Sequence, residues 1–351
     1  MPRVPLIGAA VGAAVFGVLL AGCDVFGGED DDADGPDEPI VELFAEGLVA
    51  PVGIEVDAQG RLWVAEQGLG EHDSRISLIG TDGQVQPAVT DLPSDTINGD
   101  VIGAWRAYLR SDGSALLMVQ GQGTDSLSTS VLSADLTGVS LDDLPLDTSD
   151  VEVLSDIGTF VLDEQGFEES NPYALSGGPG GDLLVVDAAA NALLRRDDNT
   201  GELSVFSTFD DVSNPTSVGP PTMDAVPTDI VSTGTRFFVS ALTGFPFPEG
   251  QARIYEVDAQ GAVSVFQGGF TTLVDLAIDA RDGTLLALQF ASFDPQSGFQ
   301  PQTGQLLETD GTTIDTLVTG LNFPSGMHTR SRGELFISSL ADGDVLRVRF
   351  P

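Results

Sequence analysis

Few residues in this chain are of types that do covalent chemistry at neutral pH. There is one cysteine, Cys23, and there are two histidines, His72 and His328. Cys23 follows Leu20-Ala21-Gly22, which closes an apolar stretch running from Val4 behind Arg3. A basic start, an apolar run too short for a secure membrane span and small residues before the cut make up the pattern of an export signal. A lone thiol at that place has no partner within the chain, and its setting is the lipobox of a bacterial lipoprotein. The expectation is a signal peptide over residues 1–22, lipidation of Cys23 and anchoring to a membrane of the cell envelope, on the periplasmic or outer surface. Several acyl chains hold a protein durably where one does not. An N-terminal anchor helix with an incidental cysteine is the other reading of the same stretch.

The histidines carry no catalytic signature. The chain contains no HExxH, no GxSxG and no cysteine-based metal spacing. No catalytic residue is assigned, and His328, which follows Met327, reads as a channel-lining or hydrogen-bonded group. Carboxylates are the abundant reactive type: 54 acidic residues against 14 basic ones give a formal net charge of −40. Such a surface repels phosphate backbones, which excludes nucleic acid as a partner, and it tolerates high salt, which screens its self-repulsion. Every basic residue is Arg; a salt-adapted organism and a GC-rich genome explain this equally well. Residues 23–39, mostly Asp, Glu, Gly and Pro, offer little to bury and read as an acidic disordered tether.

The elements that must position these groups come from a repeat of about 50 residues, the length of a propeller blade. One copy runs through Val41-Glu42-Leu43-Phe44, Pro51-Val52-Gly53-Ile54, Leu62–Ala65 and Arg75–Leu78; the last runs through Thr316-Leu317-Val318, Pro324-Ser325-Gly326-Met327, Leu335–Ile337 and Asp344–Val348. Apolar second strands recur at Leu62–Ala65, Leu116–Val119, Leu183–Val186, Phe237–Val239, Leu285–Leu288 and Leu335–Ile337. Strands apolar on both faces need cover on both, as in the middle of a blade sandwiched between neighbours. Residues 40–351 are therefore expected to be all-β, a six-bladed β-propeller of four-stranded antiparallel blades. The last copy ends after its third strand, and the spare strand Ile40–Phe44 would close the ring as its outer strand.

This frame places the carboxylates. Two residues after the Pro position, the innermost strands read Gly53, Ala107, Ala174, Asp229, Asp275 and Gly326. Asp229 and Asp275 would share one rim of the axial channel, with Glu55 two residues along its own strand. Carboxylates so close either raise a pKa or recruit a cation, and hard oxygen ligands suit Ca²⁺; the other reading is that they cap backbone N–H groups or are solvated. First-to-second and third-to-fourth turns are expected to be short and on one face. The other face carries long segments such as Asp210–Val226, Leu242–Gln251 and Ala291–Gly304, where a repeat ring often binds. Phe245, Phe247, Phe293 and Phe299 lie in them, either as a ligand-binding platform or tucked down to seal the core.

The stretches Asn171-Pro172-Tyr173, Asp187-Ala188-Ala189-Ala190-Asn191-Ala192-Leu193-Leu194-Arg195, Val226-Pro227-Thr228 and Leu242-Thr243-Gly244-Phe245-Pro246-Phe247-Pro248-Glu249-Gly250 resemble the ScyD/ScyE family from Val41 to the C-terminus. The match departs from the family's pattern around Asn98–Leu136. The family is named from proteins encoded with scytonemin biosynthesis, and the resemblance implies an exported propeller without an established catalytic role. The resemblance carries little chemistry, and the reading preferred on the residues is a non-catalytic binding or scaffold module acting through the loop-rich face on a glycan, a small aromatic metabolite or a protein. The alternative is a metal-dependent hydrolase of the gluconolactonase (SMP-30) type, which needs a carboxylate-and-amide cluster around one axial ion.

Overall fold

Short apolar runs bounded by Gly- and Asp-containing turns become strands throughout. The computed structural model describes residues 38–331 and 333–351. The signal peptide 1–22, Cys23 and the tether as far as residue 37 lie outside the described residues.

The strands form six four-stranded antiparallel sheets, each one blade of a propeller. Their innermost strands are Pro51–Val56, Ala104–Leu109, Pro172–Gly177, Pro227–Ser232, Leu273–Ile278 and Pro324–Ser331. The second strands coincide with the apolar runs of the repeat. Leu62–Glu66, Leu183–Asp187 and Leu285–Gln289 are buried along their whole length, because neighbouring blades cover both faces.

Ring closure is the work of the first strand. Ile40–Ala45 pairs antiparallel with Asp344–Arg349, so the last blade runs Ile40–Ala45, Asp344–Arg349, Glu334–Ser339, Pro324–Ser331 from rim to axis. Phe44 packs on Phe336 at 4.8 Å between ring centroids. The seam between the last blade and the first is also tied near the axis, where the Ser325 hydroxyl donates to the Pro51 carbonyl at 2.7 Å. Ile40 pairs with Arg349, and Arg349 with Glu334 beside the first-to-second turn, so the N-terminal strand enters from the short-turn face.

The long segments do gather on the opposite face. Three of them fold into small hairpins of their own, at residues 95–102, 212–223 and 293–299. The short-turn face departs from expectation in one place. Between the third and fourth strands of the second blade the chain makes an excursion over residues 136–150, with two single helical turns, Leu141–Asp143 and Thr148–Asp150. Asp147 holds the second turn by accepting from the Ser149 amide at 2.7 Å.

All six innermost strands share a β-bulge at their start. The register shifts between Pro51 and Ile54, Pro172 and Ala174, Pro227 and Asp229, Leu273 and Asp275, Pro324 and Gly326, and, in the second blade, between Ala104 and Arg106. The residue of the second blade level with Asp229 and Asp275 is therefore Arg106, not Ala107. In a strand, one residue of slip exchanges a side chain that faces the axis for one that faces the blade, and here it exchanges a methyl group for a cation.

Candidate functional site

The bulges set two rings of side chains on the axis, two residues apart, because alternate residues of a strand face the same way. The first ring is Gly53, Arg106, Ala174, Asp229, Asp275 and Gly326. The second is Glu55, Tyr108, Ser176, Val231, Ala277 and His328.

In the first ring, Arg106 reaches across the channel to both carboxylates, with Nη1 2.7 Å from Asp275 Oδ2 and Nη2 2.9 Å from Asp229 Oδ1. Its path exists because its neighbours are small. A Cβ on Gly53 would stand 2.7 Å from Arg106 Cδ, and one on Gly326 would collide with the Val52 carbonyl. Each Asp also ties its blade to the next, accepting an amide from Leu276 (3.0 Å, to Asp229) and from Met327 (3.1 Å, to Asp275). Burial, opposed by Arg106 and reinforced by Asp229, raises the Asp275 carboxyl well above its usual range. A proton on Asp275, whose Oδ1 has no hydrogen-bond partner among the described residues, leaves one carboxylate for one guanidinium. Above this ring, Trp105 stacks on Tyr173 at 4.3 Å, both buried, and the long-loop end of the axis is shut.

The expected Ca²⁺ at Asp229, Asp275 and Glu55 does not fit this arrangement. A guanidinium stands between the two aspartates, and Glu55 is one ring away, paired with neither. The requirement behind the expectation, compensation of two facing carboxylates, is real. An internal cation meets it.

Below the first ring the channel widens into a cavity of about 430 Å³, lined by both rings and continuing to Gly177, Ser232, Ile278 and Thr329 at the ends of the innermost strands. Its mouth is on the short-turn face. Glu55 and His328 meet there from the first and last blades, with Nδ1 to Oε2 at 3.6 Å. Burial pushes the Glu55 carboxyl up to about 8, against the pull of Arg106. Burial pushes the His328 imidazole down to about 4, helped by Arg106. At neutral pH the pair is an uncharged acid beside an uncharged base. Tyr108 completes the group, its phenol also raised by burial and then by Glu55.

The structure treats the expected platform differently. Phe245, Phe247, Phe293 and Phe299 come together as one aromatic cluster, with centroids 5.0 Å apart for Phe247–Phe293, Phe247–Phe299 and Phe293–Phe299 and 6.0 Å for Phe245–Phe293. Phe290 and Phe323 extend it toward the core. Phe247 is buried and the other three are half-buried. The rings spend their faces on each other. His72 is on a loop of the same side, at the other end of the molecule's axis from His328.

The stretches that carry the ScyD/ScyE resemblance hold turns and seams. Asp187, buried, accepts from the Ser170 hydroxyl at 2.6 Å and from the amides of Asn171 and Ala190. Asn171 Oδ1 accepts the Gln122 amide of the preceding blade, and Asn191 Oδ1 the Val226 amide leading into the next.

Arg106 and Tyr108 were the functional residues that sequence reasoning missed. The signal was present: of the innermost strands, only that of the second blade carries an arginine near its start. With Ala104 in place of the Pro that marks most of the other strands' starts, the count along this strand falls one residue off.

Its structural neighbours are six-bladed propellers. They include a protein of unknown function from Bacteroides thetaiotaomicron (TM-score 0.59, 12% identity, 89% of this chain and 76% of that one) and a gluconolactonase-like protein (0.53, 15%, 90% and 93%). A third is the PQQ-bound aldose sugar dehydrogenase of Streptomyces coelicolor (0.56, 10%, 90% and 99%). At these identities the likeness is one of fold. No family model matches the chain, and no curated protein sequence matches it.

Proposed function

We propose that this protein is an exported, membrane-anchored binding module that takes a small ligand into the axial cavity of its propeller without transforming it. The observation that carries this reading is the cavity, about 430 Å³ and lined by innermost strands of all six blades. It is closed at one end by the Arg106–Asp229–Asp275 cluster and open at the other. Its size is that of a small-molecule site, with polar and apolar surface in nearly equal shares and several titratable groups converging on it.

The cavity is preferred to the loop-rich face because the aromatic groups of that face are engaged with one another. Binding is preferred to metal-dependent hydrolysis of the gluconolactonase type because the axial carboxylates that would hold an ion are engaged by Arg106. The shared fold does not choose between these functions. Membership of the ScyD/ScyE family, on the stretches around Asp187–Arg195 and Leu242–Gly250, belongs to the same proposal and agrees with a non-catalytic role. Lipidation at Cys23 belongs to the same proposal.

Two experiments test the proposal. Screening the mature protein against small polar metabolites by native mass spectrometry should give ligands that Ser232→Trp, which fills the mouth, no longer retains; ligands unaffected by that change would place the site elsewhere. Cys23→Ser should move the protein from the membrane to the soluble fraction, and unchanged membrane retention would overturn the anchor.

A further inference from the structure

The charges around the cavity do not balance unless protons are counted. Six titratable groups line it: Arg106 and Tyr108 from the second blade, Asp229 from the fourth, Asp275 from the fifth, His328 from the sixth and Glu55 from the first. Three are carboxyls and one is a permanent cation. Arg106 directs both terminal nitrogens to the two aspartates, so it acts on Glu55 only at a distance and makes no ion pair with it. Glu55 has no arginine partner among the described residues, and its nearest basic atom, His328 Nδ1 at 3.6 Å, is beyond hydrogen-bond length. The burial that holds a proton on Glu55 and keeps His328 neutral expresses the same deficit.

We infer that the cavity is selective for a small organic cation, an ammonium or amidinium head on an apolar body, with Glu55 as its counter-ion. The inference rests on the reading of the cavity as a ligand site. A positive head at Glu55 takes the place of the proton, and the hydroxyls of Tyr108 and Ser176 line the same space. The walls favour an organic cation over a bare ion. Val231, Ala277 and the Tyr108 ring, all in the second ring, offer apolar surface that stabilises an apolar body and does nothing for a hydrated metal. The formal net charge of −40 draws cations to the protein from a distance, an effect that salt screens; specificity for the cavity has to come from Glu55.

The test is calorimetric titration of the mature protein with phenethylammonium and with its neutral counterpart phenethyl alcohol, at about pH 6 and about pH 8, in two buffers of different ionisation heat. Sodium chloride and calcium chloride at matched ionic strength serve as controls. The ammonium should bind at least about tenfold more tightly than the alcohol at the higher pH and release a proton as it binds. Its affinity should fall by up to about tenfold per pH unit below the Glu55 titration. Glu55→Gln should remove both the preference and the proton release. Equal binding of the alcohol, retention of the preference in Glu55→Gln, or tighter binding of calcium would each overturn the inference. If the alcohol binds and Ser232→Trp abolishes it, the cavity remains a ligand site and only its charge preference fails. If no probe binds, or Ser232→Trp changes nothing, the cavity reading falls too. Proton release by the unsubstituted protein keeps the test independent of how any variant folds.

Discussion

The two ends of the propeller axis are built from the same six strands and have opposite characters. At the long-loop end, Val52, Trp105, Tyr173, Thr228, Val274 and Ser325 are buried, and just below them every charged group has an internal partner. At the short-turn end, burial falls away within the last two residues of the first four innermost strands. The polar groups there, Glu55, His328 and Tyr108, keep unused hydrogen-bonding capacity. Long loops on one face of a repeat ring are ordinarily read as the binding face. Here they supply cover: three hairpins and an aromatic cluster thicken one side, and the open volume is left where the turns are short.

That comparison can be broken from either end. The largest effect is expected at the closed end. Arg106→Leu removes the counter-charge from the buried Asp229–Asp275 pair and should cost about 3–5 kcal/mol in urea denaturation at neutral pH. The loss should shrink on acidification, as protonation removes the charges; a loss independent of pH would mean that Arg106 matters for packing alone. Phe247→Ala, also at the closed end, should cost about 3 kcal/mol by leaving a cavity among Phe245, Phe293 and Phe299, while ligand retention at the open end stays as in the parent. If ligand affinity falls with it, the two ends are not separate.

At the open end the sign reverses. Glu55 is an acid whose folded pKa, about 8, lies above its ordinary value near 4.5. Below about 4.5 it is protonated both folded and unfolded and contributes nothing. Between about 4.5 and 8 the unfolded chain ionises and the folded one does not, so stability falls as pH rises, by at most about 1.4 kcal/mol per pH unit. Glu55→Gln should therefore be more stable than the parent at about pH 8, by roughly 1–3 kcal/mol, and equal to it near pH 4.5. His328 acts in the opposite sense. Its folded pKa, near 4, lies below its ordinary 6.5, so its burial lowers stability as pH falls through that interval. A Glu55→Gln advantage that persists unchanged to pH 4.5 would show that Glu55 is not held protonated.

The smallest expected effect concerns ions. Calcium and sodium chloride at equal ionic strength should raise the melting temperature alike, by screening an acidic surface. A larger, saturating shift with calcium, lost in Asp229→Asn/Asp275→Asn, would be the linkage signature of a bound ion and would put a metal back on the axis.

The sequence by itself determined the architecture. The six apolar second strands, their spacing and the spare strand Ile40–Phe44 required a closed ring, because each strand had to be covered on both faces and each edge had to be paired. It also placed Asp229, Asp275 and Glu55 on the axis. Only the tertiary structure decided what meets those carboxylates. The second blade has no Pro to mark the start of its innermost strand; Ala104 stands there, which turns Arg106 inward in place of Ala107, and apolar alternation cannot fix that register when the strand is buried on both sides. Nor could chain order tell which end of the channel is open. That depends on Trp105 and Tyr173 stacking above the Arg106 cluster, and rings from separate blades settle that only when folding brings them within reach, where mutual burial is favoured over exposure to water.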